Sequence, residues 1–147
     1  MKNSIKDIDD ALNDLFTYLK SKSTWKKLCL NIDQEISRPG MAILHVILKN
    51  KGSKLKLNDL ATLLDIEAPF LSRKTKELEE SGYIHRFSSP LDRREIYFEA
   101  TQKAIELEQT FSHHKQDLIM RALAEWSEQD KQQFSQLLKR FLINLRG

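Results

Sequence analysis

Ile5, Ile8, Leu12, Leu15 with Phe16, and Leu19 recur at spacings of three and four, which predicts an amphipathic helix from near residue 5. The pattern continues through Trp25, Leu28 and Ile32, with an irregularity expected at Ser21 to Thr24. Arg38-Pro39-Gly40 ends the connection and admits a new helix, because proline fits a first helical turn, where its missing N–H has no partner to lose. Met41, Ile43, Leu44, Val46, Ile47 and Leu48 make that helix mostly buried, and the polar NKGSK run at 50–54 stops it.

Residues 57–80 read as two short helices separated by a turn. Asn58 is the expected N-cap of the first, with Leu60, Ala61 and Leu64 inward. On the second, Leu71, Thr75 and Leu78 form an inward line, while Pro69, Ser72, Arg73 and Lys76 form an outward one. Gly82 stands where the chain can leave a helix with positive φ. After it the period changes from near 3.6 to near 2: YIHRF, a polar turn SSPLDR, then REIYFEA. Ile96 and Phe98 are expected to face the core, and Glu95, Tyr97 and Glu99 to face away. Thr101 is positioned to cap a long helix carrying Ile105, Leu107, Phe111, Leu118, Ile119, Leu123 and Trp126. Ser127 with Asp130 three residues on starts the last helix, whose stripe is Phe134, Leu137, Leu138, Phe141, Leu142 and Leu145.

The expected fold is mainly α with a small β wing, a winged helix-turn-helix. Residues 1–147 make one domain: a core at 39–100, bracketed by helices at 1–36 and 101–147. The brackets carry large apolar side chains far in sequence from the core, and a monomer would leave many of them in water. A two-fold interface through Ile5, Ile8, Leu12, Phe134, Leu138, Phe141, Leu142 and Leu145 would cover them, so these are expected dimerisation residues. Packing within one chain is the alternative.

Charge sharpens this picture. The 147 residues are 31% charged with a formal net charge of +3. Residues 49–94 hold ten Lys/Arg against seven Asp/Glu, and the remainder holds fourteen of each (24 − 10 against 21 − 7), so the whole excess falls in one segment. That placement favours a localised anionic partner. Cys29 is the only cysteine, which excludes an intrachain disulfide and a four-cysteine zinc site. MKNSIKDIDDALNDLF alternates charge with apolar residues, unlike an export signal, and no apolar run approaches a membrane span, so a reduced, soluble, cytoplasmic protein without membrane contact is expected. The chain has no glycine-rich phosphate loop, HExxH pair or activated serine arrangement, so no enzyme, cofactor or metal site is called for.

A helix fits the DNA major groove, and an extended basic side chain fits the minor groove. Ser72, Arg73 and Lys76 share one helical face, where Arg73 has the fork geometry for guanine and Lys76 can neutralise phosphate. Pro69 and Phe70 near the helix start can touch thymine methyls or simply fill the turn. Arg93 and Arg94 at the hairpin tip suit a narrow, electronegative minor groove, with Asp92 orienting an arginine, Arg94 by preference. The competing readings are a solvated helix face and a polar turn with a surface ion pair.

The stretch NDLATLLDIEAPFLSRKTKELEESGYIHRFSSPLDRREIYFEAT resembles the DNA-binding core of the MarR family of winged helix-turn-helix transcriptional regulators. The likeness rests on Asp59-Leu60-Ala61, Ser72-Arg73, Leu78-Glu79, Gly82-Tyr83-Ile84, Arg86 and Asp92-x-Arg94 followed by Phe98 and Thr101. The order and lengths of the outer helices match too. The resemblance implies a homodimer on a pseudo-palindromic double-stranded DNA operator, with recognition helices in successive major grooves and wings in flanking minor grooves. It also implies repression, relieved by a small phenolic or aromatic molecule bound between the dimer helices and the winged domain. Lys74, at an often apolar position, and Ala104, where glycine is usual, depart from the family pattern.

Some relatives of this kind sense thiol oxidation or zinc. Cys29 lies near the end of the first long helix, whereas those thiol sensors carry theirs nearer its start, and a small buried hydrophobe is the plainer role. His45, His113 and His114, with Cys29 or Glu35, offer metal-ligating types, but adjacent histidines diverge by about 100° on a helix. Trp25, Trp126 and Tyr18 either line an effector cavity or pack. A winged-helix protein-interaction module and a non-specific architectural DNA-binding protein remain the alternative functions.

Overall fold

The irregularity expected near Ser21 is a break between two helices. In the computed structural model, which describes residues 3–32, 36–50 and 54–147, α1 (Ser4–Lys20) ends and α2 (Lys22–Leu28) begins at an extended Ser21. The Ser21 hydroxyl accepts from Thr24 N–H at 3.2 Å and caps α2. Arg38 closes the break from outside: its guanidinium donates to the carbonyls of Leu19 and Ser21 and lies 4.9 Å from the Trp25 ring centre. The Leu19 carbonyl in the last turn of α1 thereby gains a charged donor, and the Ser21 carbonyl, which accepts from Trp25 N–H at 3.2 Å, gains a second donor.

α3 (Arg38–Lys49) begins as expected, with Ser37 as N-cap and proline in the first turn. It is followed by β1 (Leu55–Lys56), α4 (Leu57–Leu64), α5 (Ala68–Glu80), β2 (Ile84–Ser88), β3 (Ile96–Ala100), α6 (Gln102–Ala122) and α7 (Glu128–Arg146). The sheet is antiparallel in the order β1-β3-β2, pairing Leu55 with Phe98 and Ile84 with Ala100. Ile43, Leu44, Leu60, Leu71, Ile84, Thr75 and Ala104 are buried where α3, α4, α5, the sheet and the first turns of α6 meet. Ala104 is fully buried, so the core accepts a methyl there.

Four local expectations need correction or bounding. Ile32 lies beyond α2, because the chain turns after Cys29 and Asn31 takes φ +63°. Asn58 is not an N-cap: Lys56 holds that position, and its N–H donates to the Asp59 carboxylate at 2.9 Å, so the acidic residue three places on satisfies the helix start. Trp126 is not in the long helix, which stops at a Leu123 C-cap; Trp126 sits in the turn before α7 and packs edge-on against Phe134. Within the NKGSK run, Asn50 caps α3 and residues 51–53 lie outside the described residues.

α1 and α7 bury no residue, and α6 buries only Ala104 and Leu107. No described helix is long and apolar enough to cross a membrane.

Candidate nucleic-acid interface

α4 and α5 are joined by three residues, and the turn depends on Asp65 at φ +52°, a left-handed conformation that short polar side chains tolerate. Ile66 N–H then reaches back to the Ala61 carbonyl at 3.1 Å and closes the helix end. Leu71, Thr75 and Leu78 are buried, with Thr75 Oγ1 donating to the Ser72 carbonyl at 3.0 Å. α5 therefore cannot roll without exposing that line. Its other face carries Pro69, Arg73 and Lys76 exposed, and Ser72 half-buried beside them. Phe70 is half-buried, with the Arg73 guanidinium 5.8 Å and the Lys74 ammonium 5.7 Å from its ring centre. Lys74, at the position that departs from the family pattern, is half-buried and pairs with Glu77 at 3.2 Å.

Gly82, at φ +82°, ends α5 and feeds the wing. β2 and β3 pair from Ile84↔Ala100 to Ser88↔Ile96. The loop between them is closed by Ser89 N–H to the Glu95 carbonyl at 3.0 Å and Glu95 N–H to the Asp92 carbonyl at 3.1 Å. Asp92 Oδ1 accepts from Arg94 N–H at 3.0 Å and lies 3.5 Å from Arg94 Nε. The expected pair is thus present, and it fixes the root of an arginine whose side chain is 94% exposed. Arg93 is exposed beside it. The structure places Pro69, Phe70, Ser72, Arg73 and Lys76 on one helix, and Arg93, Arg94 and Asp92 on the wing loop.

The sequence reading missed β1 and what it brings. Lys56 Nζ donates to Glu95 Oε1 at 2.9 Å, and Tyr97 OH donates to Glu95 Oε2 at 2.9 Å. Hydrogen bonding from Lys56 and then from Tyr97 holds the Glu95 carboxyl below its ordinary value, and Glu95 in turn raises Lys56. With only Leu55 and Lys56 in it, this strand carries no period that a sequence pattern could show.

A cleft of about 360 Å³ opens between α2, the start of α3 and the second half of α5, lined by Trp25, Ser37, Gly40, Lys74, Glu77 and Tyr83. Of the three aromatics considered for an effector cavity, only Trp25 lines this cleft; it also packs on Phe111 at 5.5 Å. Tyr18 is exposed on α1. Burial pushes the Cys29 thiol above its ordinary value, opposed by the Arg38 charge. His45 bonds Glu108 at 2.9 Å, His114 Nδ1 donates to the Leu28 carbonyl at 2.9 Å, and His113 faces Asp117 at 3.4 Å. These histidines thus have separate partners; Glu35 lies outside the described residues, and no group of three or more metal-ligating side chains gathers among those described.

Residues 36–96, which span the buried helix pair, the outward basic face and the wing arginines, match the model of the MarR family. This segment belongs to the MarR family. A Bacillus subtilis (strain 168) protein described as the uncharacterized HTH-type transcriptional regulator YxaD is 32% identical over 85 residues, 58% of this chain and 59% of that protein. The match thus spans less than two thirds of that relative's length. Among solved structures, a MarR family protein from Bacillus stearothermophilus superposes with a TM-score of 0.85 at 14% identity, covering 100% of this chain and 99% of that one. Streptococcus pneumoniae FabT in complex with DNA gives 0.79 at 19% identity, covering 97% of each chain. At these identities the likeness is one of fold, and it extends the MarR arrangement from the matched segment to the outer helices.

Proposed function

We propose that this chain is a sequence-specific, double-stranded DNA-binding transcriptional regulator, a homodimeric repressor acting on a pseudo-palindromic operator. The observation that carries the reading is α5 itself: Leu71, Thr75 and Leu78 hold it down, while Arg73 and Lys76 are exposed on the face turned to solvent. The wing adds Arg94, fixed at its root by Asp92 and otherwise exposed. FabT, of similar fold, was solved with DNA.

Pro69, Phe70, Ser72, Arg73 and Lys76 enter the major groove in this reading, and Arg93 and Arg94 the flanking minor groove. Residues 39–100 form the DNA-binding core, and helices within 1–36 and 101–147 join two copies. Ile5, Ile8, Phe134, Leu138, Leu142 and Leu145 are exposed on α1 and α7, as a partner-covered face requires, and half-buried Leu12 and Phe141 complete it. The cleft beside Trp25 touches both an outer helix and the recognition helix, which suits a small phenolic or aromatic effector that alters DNA affinity.

Selection of binding sites from a genomic library, repeated with candidate effectors, tests this. A discrete palindrome is expected, with binding that falls steeply with salt and is weakened in Arg94→Ala. Equal binding to unrelated sequences would indicate an architectural protein, and no DNA binding a protein-interaction module.

A further inference from the structure

Glu95 occupies a pivotal place in the wing. Its backbone closes the loop through Ser89 and Asp92, its neighbour is Arg94, and its carboxylate is taken up on both oxygens by Lys56 and Tyr97. Lys56 belongs to β1, pairs with Tyr97 across the sheet and is also the N-cap residue of α4, the first helix of the helix-turn-helix. The Tyr97 ring is held in turn by Phe87, stacked at 5.7 Å, and lies beneath the ammonium groups of Lys54 and Lys56 at 5.9 and 5.7 Å. The loop carried by β2 and β3 is thus tied by side chains to the start of the helix pair.

We propose that Lys56, Glu95 and Tyr97 form a positioning triad that fixes the wing loop relative to the helix-turn-helix, so that Arg94 and Arg73 meet one duplex in a set register. The inference rests on the DNA-binding reading above. The triad gains little as a surface ion pair; its effect is on geometry, because an arginine aimed at a minor groove loses contact when its loop swings. Lys56, committed to Glu95, is a strut and not a phosphate contact.

Charge gives the test its sign. Glu95→Gln removes a negative charge beside the wing, and electrostatics alone would then strengthen binding to DNA. Positioning requires the opposite, since a neutral amide offers a single acceptor oxygen for two donors. On the selected operator, E95Q is expected to bind about three- to tenfold more weakly. Hydroxyl-radical protection should be lost at the flanking minor grooves while base protection in the central major grooves persists. Tyr97→Phe, which leaves charge unchanged, should act in the same direction with smaller size. Amide exchange at residues 89–95 of the free protein should accelerate in both variants, a readout independent of DNA. Equal or tighter binding by E95Q, intact flanking protection, or loss of major- and minor-groove protection together would overturn the triad. If the unsubstituted protein selects no discrete site, or Arg94→Ala binds normally, the DNA-binding reading itself fails, whatever exchange shows.

Discussion

Arg94 and Arg73 are both exposed arginines of one basic segment, yet their surroundings suit them to different contacts in the proposed complex. Arg94 projects from a loop, held only at its root by Asp92, and a minor groove offers it a largely degenerate pattern of acceptors. Arg73 stands on a helix whose roll is fixed, so in the proposed complex its fork would reach a repeatable base position. Arg94→Ala should therefore weaken binding at matched and altered operators alike, and Arg73→Ala should relax the preference at one base position by about 1–3 kcal/mol. Affinity measured across a panel of single-base operator variants separates the two; a uniform loss in Arg73→Ala would remove its assigned role. Cys29 makes the converse point about exposure. A raised thiol pKa means less thiolate at neutral pH than in a free cysteine, so alkylation by iodoacetamide should be slower in the folded protein than in the unfolded chain and should rise only at more alkaline pH. Faster alkylation when folded would restore a thiol-sensing role.

Among the elements, those whose apolar positions repeat over two turns or more were legible in the sequence. Leu71, Thr75 and Leu78 face inward as their spacing requires, and the hairpin follows from the change of period after Gly82. β1 escaped because two residues carry no period, and its pairing with β3 spans about forty residues that no local pattern connects. Helix ends were legible where a hydroxyl accepts the N–H three residues on, as at Thr101 and Ser127. Asn58 misled because a polar residue inside a first turn resembles a cap, while the capping is done by Asp59 from within the helix. The placement of the candidate site's arginines was readable for the same reason as the core, since they lie opposite buried residues or at a loop tip, whereas the Glu95 network depends on the missed strand. Thr101 shows how much one such end can hold. Its hydroxyl accepts from Ala104 N–H at 3.3 Å and approaches the Gly82 and Tyr83 carbonyls at 2.7 and 3.1 Å, joining α6 to the entry of the wing. Thr101→Ala should cost about 1–2 kcal/mol of unfolding free energy, and Thr101→Ser much less, by chemical denaturation. Equal losses would place the effect in the methyl group instead.

At the scale of the whole molecule, the basic segment and the exposed apolar stripes of α1 and α7 lie in different parts of the chain. The net charge of +3 lies in residues 49–94, and two copies on one duplex would present +6 (2 × 3). The outer helices leave Ile5 73% and Leu145 66% exposed, side chains whose burial is worth roughly 1.5–3 kcal/mol each. One winged core holds one helix for the major groove, so binding as a pair multiplies affinity through effective concentration, without any new contact to DNA. Ile8→Asp combined with Leu138→Asp places charges on both exposed stripes and touches no buried residue, so the helical content and the winged core should persist. Sedimentation should report a dimer for the unsubstituted protein and a monomer for the double variant. Operator affinity should fall by about a hundredfold or more, while affinity for an isolated half-site stays within about twofold. A monomeric unsubstituted protein would mean that the outer helices pack only within the chain, and a dimeric double variant would move the interface elsewhere. An equal loss on half-site and full operator would show instead that the outer helices support the winged core directly.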